Sequence, residues 1–290
     1  MAGTARGGAR RHWWTPYLLA LPALLYLSIF FVRPLWVLLR TSLSSAEGSV
    51  FDPTLEFSWQ FSNYTDAFST YDEQILRSFQ YALTATILAL LLAYPLAYVL
   101  AFKAGKWKNV LLGLVILPFF ITFIMRTLAW KTIFADDSTV TALFDTFGMT
   151  TNGRILSTDW AVIGGLTYNF LPFMVLPIYV SIEKIDPRLL EAARDLYAGG
   201  FRTFRKVLLP LSLPGVFAGS LLTFIPAAGD FVNAQYLGGT NQAMVGTVIQ
   251  SQFLVVKDYP LASALSAVLM IIILVMVVIY TWSLGTEDLV

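Results

Sequence analysis

Six long apolar runs limit what this chain can fold into: Tyr17 to Leu39, Phe79 to Phe102, Val110 to Trp130, Trp160 to Ile182, Leu213 to Phe231 and Leu261 to Trp282. A helix needs about 20 mostly apolar residues to cross roughly 30 Å of hydrocarbon, and every run is close to that length. A transmembrane barrel would show short alternating segments instead, whereas Leu88 to Ala93 and Met270 to Ile279 do not alternate. The expected fold is an all-α integral membrane protein with six transmembrane helices. Composition agrees, because 57% of the residues are hydrophobic and only 13% charged, where an average soluble domain carries roughly a quarter charged. The first run follows Arg6, Arg10 and Arg11 as a signal peptide would. It is too long for one and lacks a small-residue cleavage site, so it is expected to stay attached.

Several function classes fall away at once. A net charge of +1 offers no basic surplus for a phosphate backbone, so no nucleic-acid partner is expected. Cysteine is absent and His12 is the only histidine, which removes disulfides, thiolate chemistry and Cys-based metal sites and leaves little room for imidazole catalysis. An integral-membrane enzyme would need polar side chains clustered at one depth, and the runs hold no histidine, no cysteine and no pair of acids on one helix face.

Lysine and arginine collect in alternate gaps: Arg6, Arg10 and Arg11 before the first run, Lys103, Lys106 and Lys108 after the second, and Lys184, Arg188, Arg194, Arg202, Arg205 and Lys206 after the fourth. Positive loops resist translocation, so these segments and both termini are expected in the cytoplasm. The other gaps are acidic, with Glu47, Asp52, Glu56, Asp66, Asp72 and Glu73 in one and Asp136, Asp137, Asp145 and Asp159 in the next. Prolines at 22, 34, 95, 118, 172, 177 and 226 interrupt the runs. Each removes a helix hydrogen bond, and kinks are expected there. Asn233 to Phe253 is too polar to span and reads as a short outer-surface or re-entrant segment.

The 30-residue gap Glu183 to Ser212 departs from its surroundings. Asp186 and Pro187 form an N-cap with proline at the first helical position. Leu189, Leu190, Ala193 and Leu196 or Tyr197 recur at helical spacing, and Gly199 with Gly200 ends the helix in this reading. A second helix then starts at Phe201, and Pro210 and Pro214 turn it into the membrane. A plain connection needs only a few residues. Two readings fit this projection: a helix with a small Ala192-Ala193 face that docks in a partner's groove, or an interfacial helix held on headgroups by its arginines.

Glu191-Ala192-Ala193, a glycine-containing turn and Leu209-Pro210 resemble the EAA motif in permease subunits of type I binding-protein-dependent ABC importers. Arg126 to Trp130, Tyr168 to Met174, Gly229 to Val232 and Leu237 to Gly239 extend the likeness over nearly the whole chain. Together they resemble the first of the two permeases in spermidine/putrescine importers. The resemblance implies a bacterial inner-membrane subunit that forms half of a translocation pathway. Its implied partners are a second, homologous permease, two ATPase subunits, an extracytoplasmic substrate-binding protein and membrane lipid. Residues 1–76 would carry the cytoplasmic tail, first helix and acidic external loop, 77–283 the permease core, and 284–290 a cytoplasmic tail. The resemblance assigns ATPase coupling to Arg188, Leu190, Glu191, Ala192, Ala193, Asp195, Leu196, Tyr197, Ala198, Gly199 and Phe201. The motif has glycine where this chain has Tyr197, so a turn two residues later or a differently tilted helix is expected. No stretch matches G-x-x-x-x-G-K-[ST]. This chain is therefore expected to bind no cofactor and catalyse nothing, with ATP and magnesium held by the partner ATPase.

Charges at membrane depth suggest function. Asp230 could receive an ammonium group of a polyamine, with Tyr168, Asn169 and the aromatic face of Trp130 in support. It could equally cap the end of the fifth run or pair with Arg126. Arg126 and Arg33 read as pairing or snorkelling side chains. Trp13, Trp14, Trp107, Trp160 and Trp282 lie at run ends and read as an aromatic belt. Ferric ion, sulfate or a small organic ion are the alternative cargoes, and an ATP-independent secondary carrier is the alternative class.

Overall fold

The computed structural model describes residues 15–49, 52–148, 150 and 153–283. Arg6, Arg10, Arg11, His12, Trp13, Trp14 and the 284–290 tail lie outside the described residues. α1 (Thr15–Leu27) and α2 (Arg33–Ser42) form one apolar rod, joined by a π-helical turn at Ser28–Val32. β1 (Ser44–Ser49) and β2 (Asp52–Phe57) pair antiparallel, Ser44 opposite Phe57. The fold is mostly helical as expected, with this hairpin in the acidic gap between the first two runs as its departure, where Gly48 interrupts any helix. There follow α3 (Ser62–Tyr98), α4 (Lys108–Ile116), α5 (Phe123–Ile133), α6 (Thr139–Thr146), α7 (Asp159–Glu183), α8 (Pro187–Asp195), α9 (Gly200–Thr203), α10 (Leu209–Ala228), α11 (Val232–Leu237), α12 (Val245–Ser251) and α13 (Tyr259–Ser283).

Five stretches among the described residues are long and apolar enough to cross a membrane: Tyr17–Ser42, Ser62–Lys103, Asp159–Glu183, Gly200–Ala228 and Tyr259–Trp282. The third apolar run, expected as one helix over 110–130, is broken. Gly105–Phe120 and Phe123–Ile133 meet at 96° and would make a sixth crossing only as a pair. Around Pro118 the chain tightens into a 3-10 turn, Leu117–Phe120. Ile121 and Thr122 are then extended, at ψ 133° and 145°. Both are β-branched and accept extended backbone readily.

The second run begins earlier than expected, because α3 starts at Ser62 and includes the polar residues up to Ser78. Ala67 and Ile75 are buried there beside Ala264, Leu265 and Val268 of α13, so packing overrides local polarity. Proline breaks the chain only near Pro118 among the described residues. α7 continues through Pro172 and Pro177, and α10 through Pro214 and Pro226. Elsewhere π-helical turns adjoin proline, at Ser28–Val32 before Pro34, Val99–Lys103 after Pro95 and Phe204–Leu208 before Pro210. Before Pro34 and Pro210 the wider turn spans the carbonyl that the proline leaves without a donor, residues 30 and 206, whereas the turn after Pro95 lies beyond the carbonyl of residue 91.

The bundle centres on α3, α7 and α10. Ala82, Ala85, Ala89, Ala93 and Ala97 are fully buried and recur three or four residues apart, forming a small-residue stripe that lets helices approach closely where lipid supplies no hydrophobic drive. At one end the Lys108 ammonium pairs with the Glu183 carboxylate, joining the start of α4 to the end of α7. At the other end α11 and α12 fold back into the bundle and fully bury Leu237, Met244 and Val245. The segment from Asn233 therefore packs back against the bundle.

Ser78 fastens that fold-back. Its Oγ accepts from the Val245 amide at 2.7 Å and donates to the Gln74 carbonyl at 2.9 Å. Ser78→Ala strands the buried amide, at an expected cost of about 1–3 kcal/mol. A lower thermal midpoint in detergent checks this, and an unchanged midpoint would show that the amide finds another acceptor.

Candidate functional site

Two places gather the residues singled out by the sequence. The first is the elbow between α7 and α10. Asp186 accepts from the Arg188 amide at 2.9 Å with Pro187 in the first helical position, so α8 is capped as its sequence dictates. Its other end differs from expectation. The helix stops at Asp195 and the chain reverses at Tyr197, not at Gly199 and Gly200. Tyr197 is left-handed, at φ 58°. The Tyr197 amide donates to the Arg194 carbonyl at 2.8 Å and the Ala198 amide to the Ala193 carbonyl at 3.0 Å, the two bonds of a Schellman cap. A left-handed side-chain-bearing residue costs roughly 1–2 kcal/mol; the two bonds offset that at about 0.5–1.5 kcal/mol each. Gly199, at φ −62°, begins the next helix and uses none of its conformational freedom.

The elbow has an inner and an outer face. Leu190 turns inward to line a cleft with Tyr94, Tyr98, Thr203 and Phe204, and Ala193 on the same helix is buried. Phe204 meets the Tyr94 ring edge-on at 5.3 Å, and Tyr94 Oη shares a 2.7 Å hydrogen bond with Ser212 Oγ. The elbow is thereby fixed to both α3 and α10. Ala192 and Ala193 do not share a face, since Ala192 is exposed. Arg188, Glu191, Asp195 and Gly199 are exposed too, and Ala198 is half-buried. Leu196, Tyr197 and Phe201 are 81%, 96% and 76% exposed, so they contribute almost nothing to this chain's own packing.

The second place is a buried polar cluster where α5, α7 and α11 meet. Asn169 Nδ2 donates to Asn233 Oδ1 at 2.9 Å and to Thr127 Oγ1 at 3.2 Å, and all three side chains are fully buried. Asp230 is buried as well, and its Oδ2 accepts from the Asn233 amide at 2.7 Å, capping α11. Of the uses open to this carboxylate, capping is the one observed, though of α11 and not of the preceding helix. Among the described residues no ion pair links Asp230 to Arg126. The Arg126 guanidinium is buried beside the Phe123 ring, 5.5 Å from its centroid, with Nε unpartnered. Trp130 and Tyr168 form an edge-on pair at 5.1 Å. Trp130 and Tyr168 thus pair with each other, while Asn169 and Asp230 are both joined to Asn233.

Sequence reasoning missed Asn233 and Thr127, and also Gly215 and Gly219. Asn233 lies three residues after Asp230, the spacing of a cap to its amide. Gly215 and Gly219 form a G-x-x-x-G pair inside an apolar run, the signature of close helix contact. Among the described residues no group of three or more His, Asp or Glu side chains could hold a metal.

Comparison with known proteins gives these sites a context. Residues 1–285 match the family described as "Binding-protein-dependent transport system inner membrane component". The spermidine/putrescine transport system permease protein PotB of Haemophilus influenzae is 40% identical over 255 residues, covering 87% of this chain and 88% of the relative. PotB of Escherichia coli is 37% identical over 257 residues, covering 88% and 92%. A bacterial ABC transporter that imports the acidic polysaccharide alginate has a chain of the same fold, with TM-score 0.64, 19% identity and coverage of 92% and 93%. The chain belongs to the inner-membrane component family of binding-protein-dependent transport systems, and is a multi-pass permease subunit of a bacterial ABC importer.

Proposed function

We propose that this permease carries a polyamine, spermidine or putrescine, and that its α8–α9 elbow docks on a separate ATPase subunit. The PotB relatives support the cargo. The elbow supports the docking, and its two-faced construction is the observation that carries the reading. The inner face is locked to α3 and α10 through Phe204, Tyr94 and Ser212, while the outer face, with Arg188, Glu191, Ala192, Asp195, Leu196, Tyr197 and Phe201, is open. Force applied to that face reaches the bundle without loss in a flexible linker.

In this reading six crossings leave both termini and the elbow in the cytoplasm, as the lysines and arginines near the elbow support. Residues 77–283 form the permease core. A second permease completes the pathway, two ATPases bind ATP and magnesium, and an external binding protein delivers cargo. This chain itself binds no cofactor and catalyses no reaction. Trp130 and Tyr168 offer aromatic faces to an ammonium group, and the Asn169 and Asp230 cluster holds α11.

Glu191→Lys and Ala192→Trp test the docking, since both alter exposed positions on the elbow. Each is expected to cut ATPase co-purification by at least about tenfold, the effect of losing one interface anchor, while membrane insertion is unchanged. Full retention of the ATPase overturns the reading. Uptake of labelled spermidine by the reconstituted complex is expected to require ATP on the ATPase side. Uptake that follows an ion gradient without ATP would make the chain a secondary carrier.

A further inference from the structure

Among the described residues Arg126 is a buried cation that no carboxylate meets. It is 7% exposed, and the ion pairs Arg77–Glu73, Lys108–Glu183 and Arg154–Asp136 leave it out. Its Nη1 reaches the Asn169 carbonyl at 3.5 Å, its Nε is unpartnered, and the Phe123 ring stands 5.5 Å from the guanidinium. A guanidinium does not shed its proton inside a protein, and an unpaired charge out of water is costly. The chain therefore keeps a full positive charge here against a standing cost, the mark of an intramembrane charge with a use.

Its place points to the use. Trp130 lies four residues on, on the same side of α5, and its ring pairs with Tyr168, the chain neighbour of the Asn169 that Arg126 touches. The guanidinium thus stands one helical turn from the aromatic faces read above as meeting an ammonium group. A resting place for cations would set a carboxylate there, yet Asp230 caps α11 through the Asn233 amide. Thr127, Asn169 and Asn233, which bond to one another, are neutral. A fixed positive charge on a narrow route of low dielectric turns cations away, as a lone arginine does in water-selective pores.

We propose that Arg126 is an electrostatic barrier that closes the idle permease to small inorganic cations such as sodium. The inference rests on the pathway reading above and deepens it by naming what the pathway excludes. The potential across a bacterial membrane drives small cations through any route left open. Cargo crosses in the driven cycle, when the ATPase supplies the work that the repulsion demands.

The test uses the whole importer in vesicles, both permeases with their ATPase, with ATP and the binding protein omitted. Entry of radioactive sodium ion is driven by a potassium–valinomycin diffusion potential. Arg126→Gln and Arg126→Met are each expected to raise that entry by about tenfold or more, while Arg126→Lys, which keeps the charge, stays near the parental rate. Entry of radioactive chloride is expected not to rise in any of them. Neutral variants as tight to sodium as the parent overturn the proposal. So does a leak that admits chloride and sodium alike, which is the behaviour of a loosened bundle. If neither neutral variant assembles while Arg126→Lys does, the side chain is a folding element and the barrier falls. ATP-driven spermidine uptake, measured with the binding protein restored, keeps the two readings apart: where the parent takes up spermidine and Arg126→Gln is tight, the barrier falls alone, and where the parent takes up none, both fall.

Discussion

Gly215→Leu is expected to prevent the bundle from forming, so that the protein fails to accumulate as a monodisperse species in detergent. A Cβ at position 215 would lie 2.5 Å from Ser181 Cβ, 2.6 Å from the Pro177 carbonyl oxygen and 3.0 Å from Ile178 Cα. Two of these atoms are backbone of α7 and cannot rotate away, so the helices must separate. One turn further on, a Cβ at Gly219 would lie 3.1 Å from the Met174 carbonyl oxygen and 2.9 Å from its sulfur. Separation at one glycine therefore opens the contact at both. Overpacking a tight site costs about 1–3 kcal/mol and occasionally more, and here the loss extends along α10 toward the cluster that buries Val216 and Leu208. Even Gly215→Ala should lower the thermal midpoint measurably. Gly164→Ala supplies the control, since a Cβ there meets nothing within 4 Å; alanine is expected to be neutral or to stabilise by up to about 1 kcal/mol through helix propensity. If Gly215→Leu and Gly164→Ala yield equal amounts of equally stable protein, the close contact between α7 and α10 is not what organises the bundle.

The apolar runs were readable because hydrocarbon thickness imposes a length, and α7 and α13 begin and end within two residues of the limits that hydropathy gives. What hydropathy does not record is backbone torsion. Ile121 and Thr122 continue an apolar run perfectly well by composition, and their extended conformation breaks it all the same. Nor does it record tertiary cover, so the polar start of α3 looked like loop until α13 was seen to pack on Ala67 and Ile75. The elbow was legible where local chemistry decides alone, as at Asp186 and Pro187. It was misread at Tyr197, where adjacent glycines offered the easier turn and the hydrogen bonds from Tyr197 and Ala198 outweighed them. Asp230 stood out as an acid beyond an apolar run. Its partner did not, because nothing in a linear reading connects Asn233 to Asn169, 64 residues before it.

The folded-back end should be as sensitive to added volume as the helix contact, with a different consequence. Gly246, in the first turn of α12, lies against the turn that carries Asp230: a Cβ there would lie 2.5 Å from the Gly229 carbonyl oxygen, 2.7 Å from that of Asp230 and 2.9 Å from the Asp230 carbonyl carbon. Every one of these atoms is backbone, so Gly246→Val must push the turn and α12 apart. The Asp230 carboxylate caps α11 through the Asn233 amide, and Asn233 in turn accepts from Asn169, the chain neighbour of Tyr168, whose ring pairs with Trp130. Displacement at residue 246 is thus passed to the proposed aromatic contact with cargo, while the elbow, joined to the opposite ends of α7 and α10, is untouched. We expect Gly246→Val to retain its ATPase but to lower ATP-driven spermidine uptake by at least about tenfold, the scale on which small misplacements act at a functional site. Loss of ATPase binding along with uptake would mean general unfolding instead. Uptake at the parental rate would mean that the polar cluster does not position the pathway, leaving Asp230 as a helix cap and nothing more.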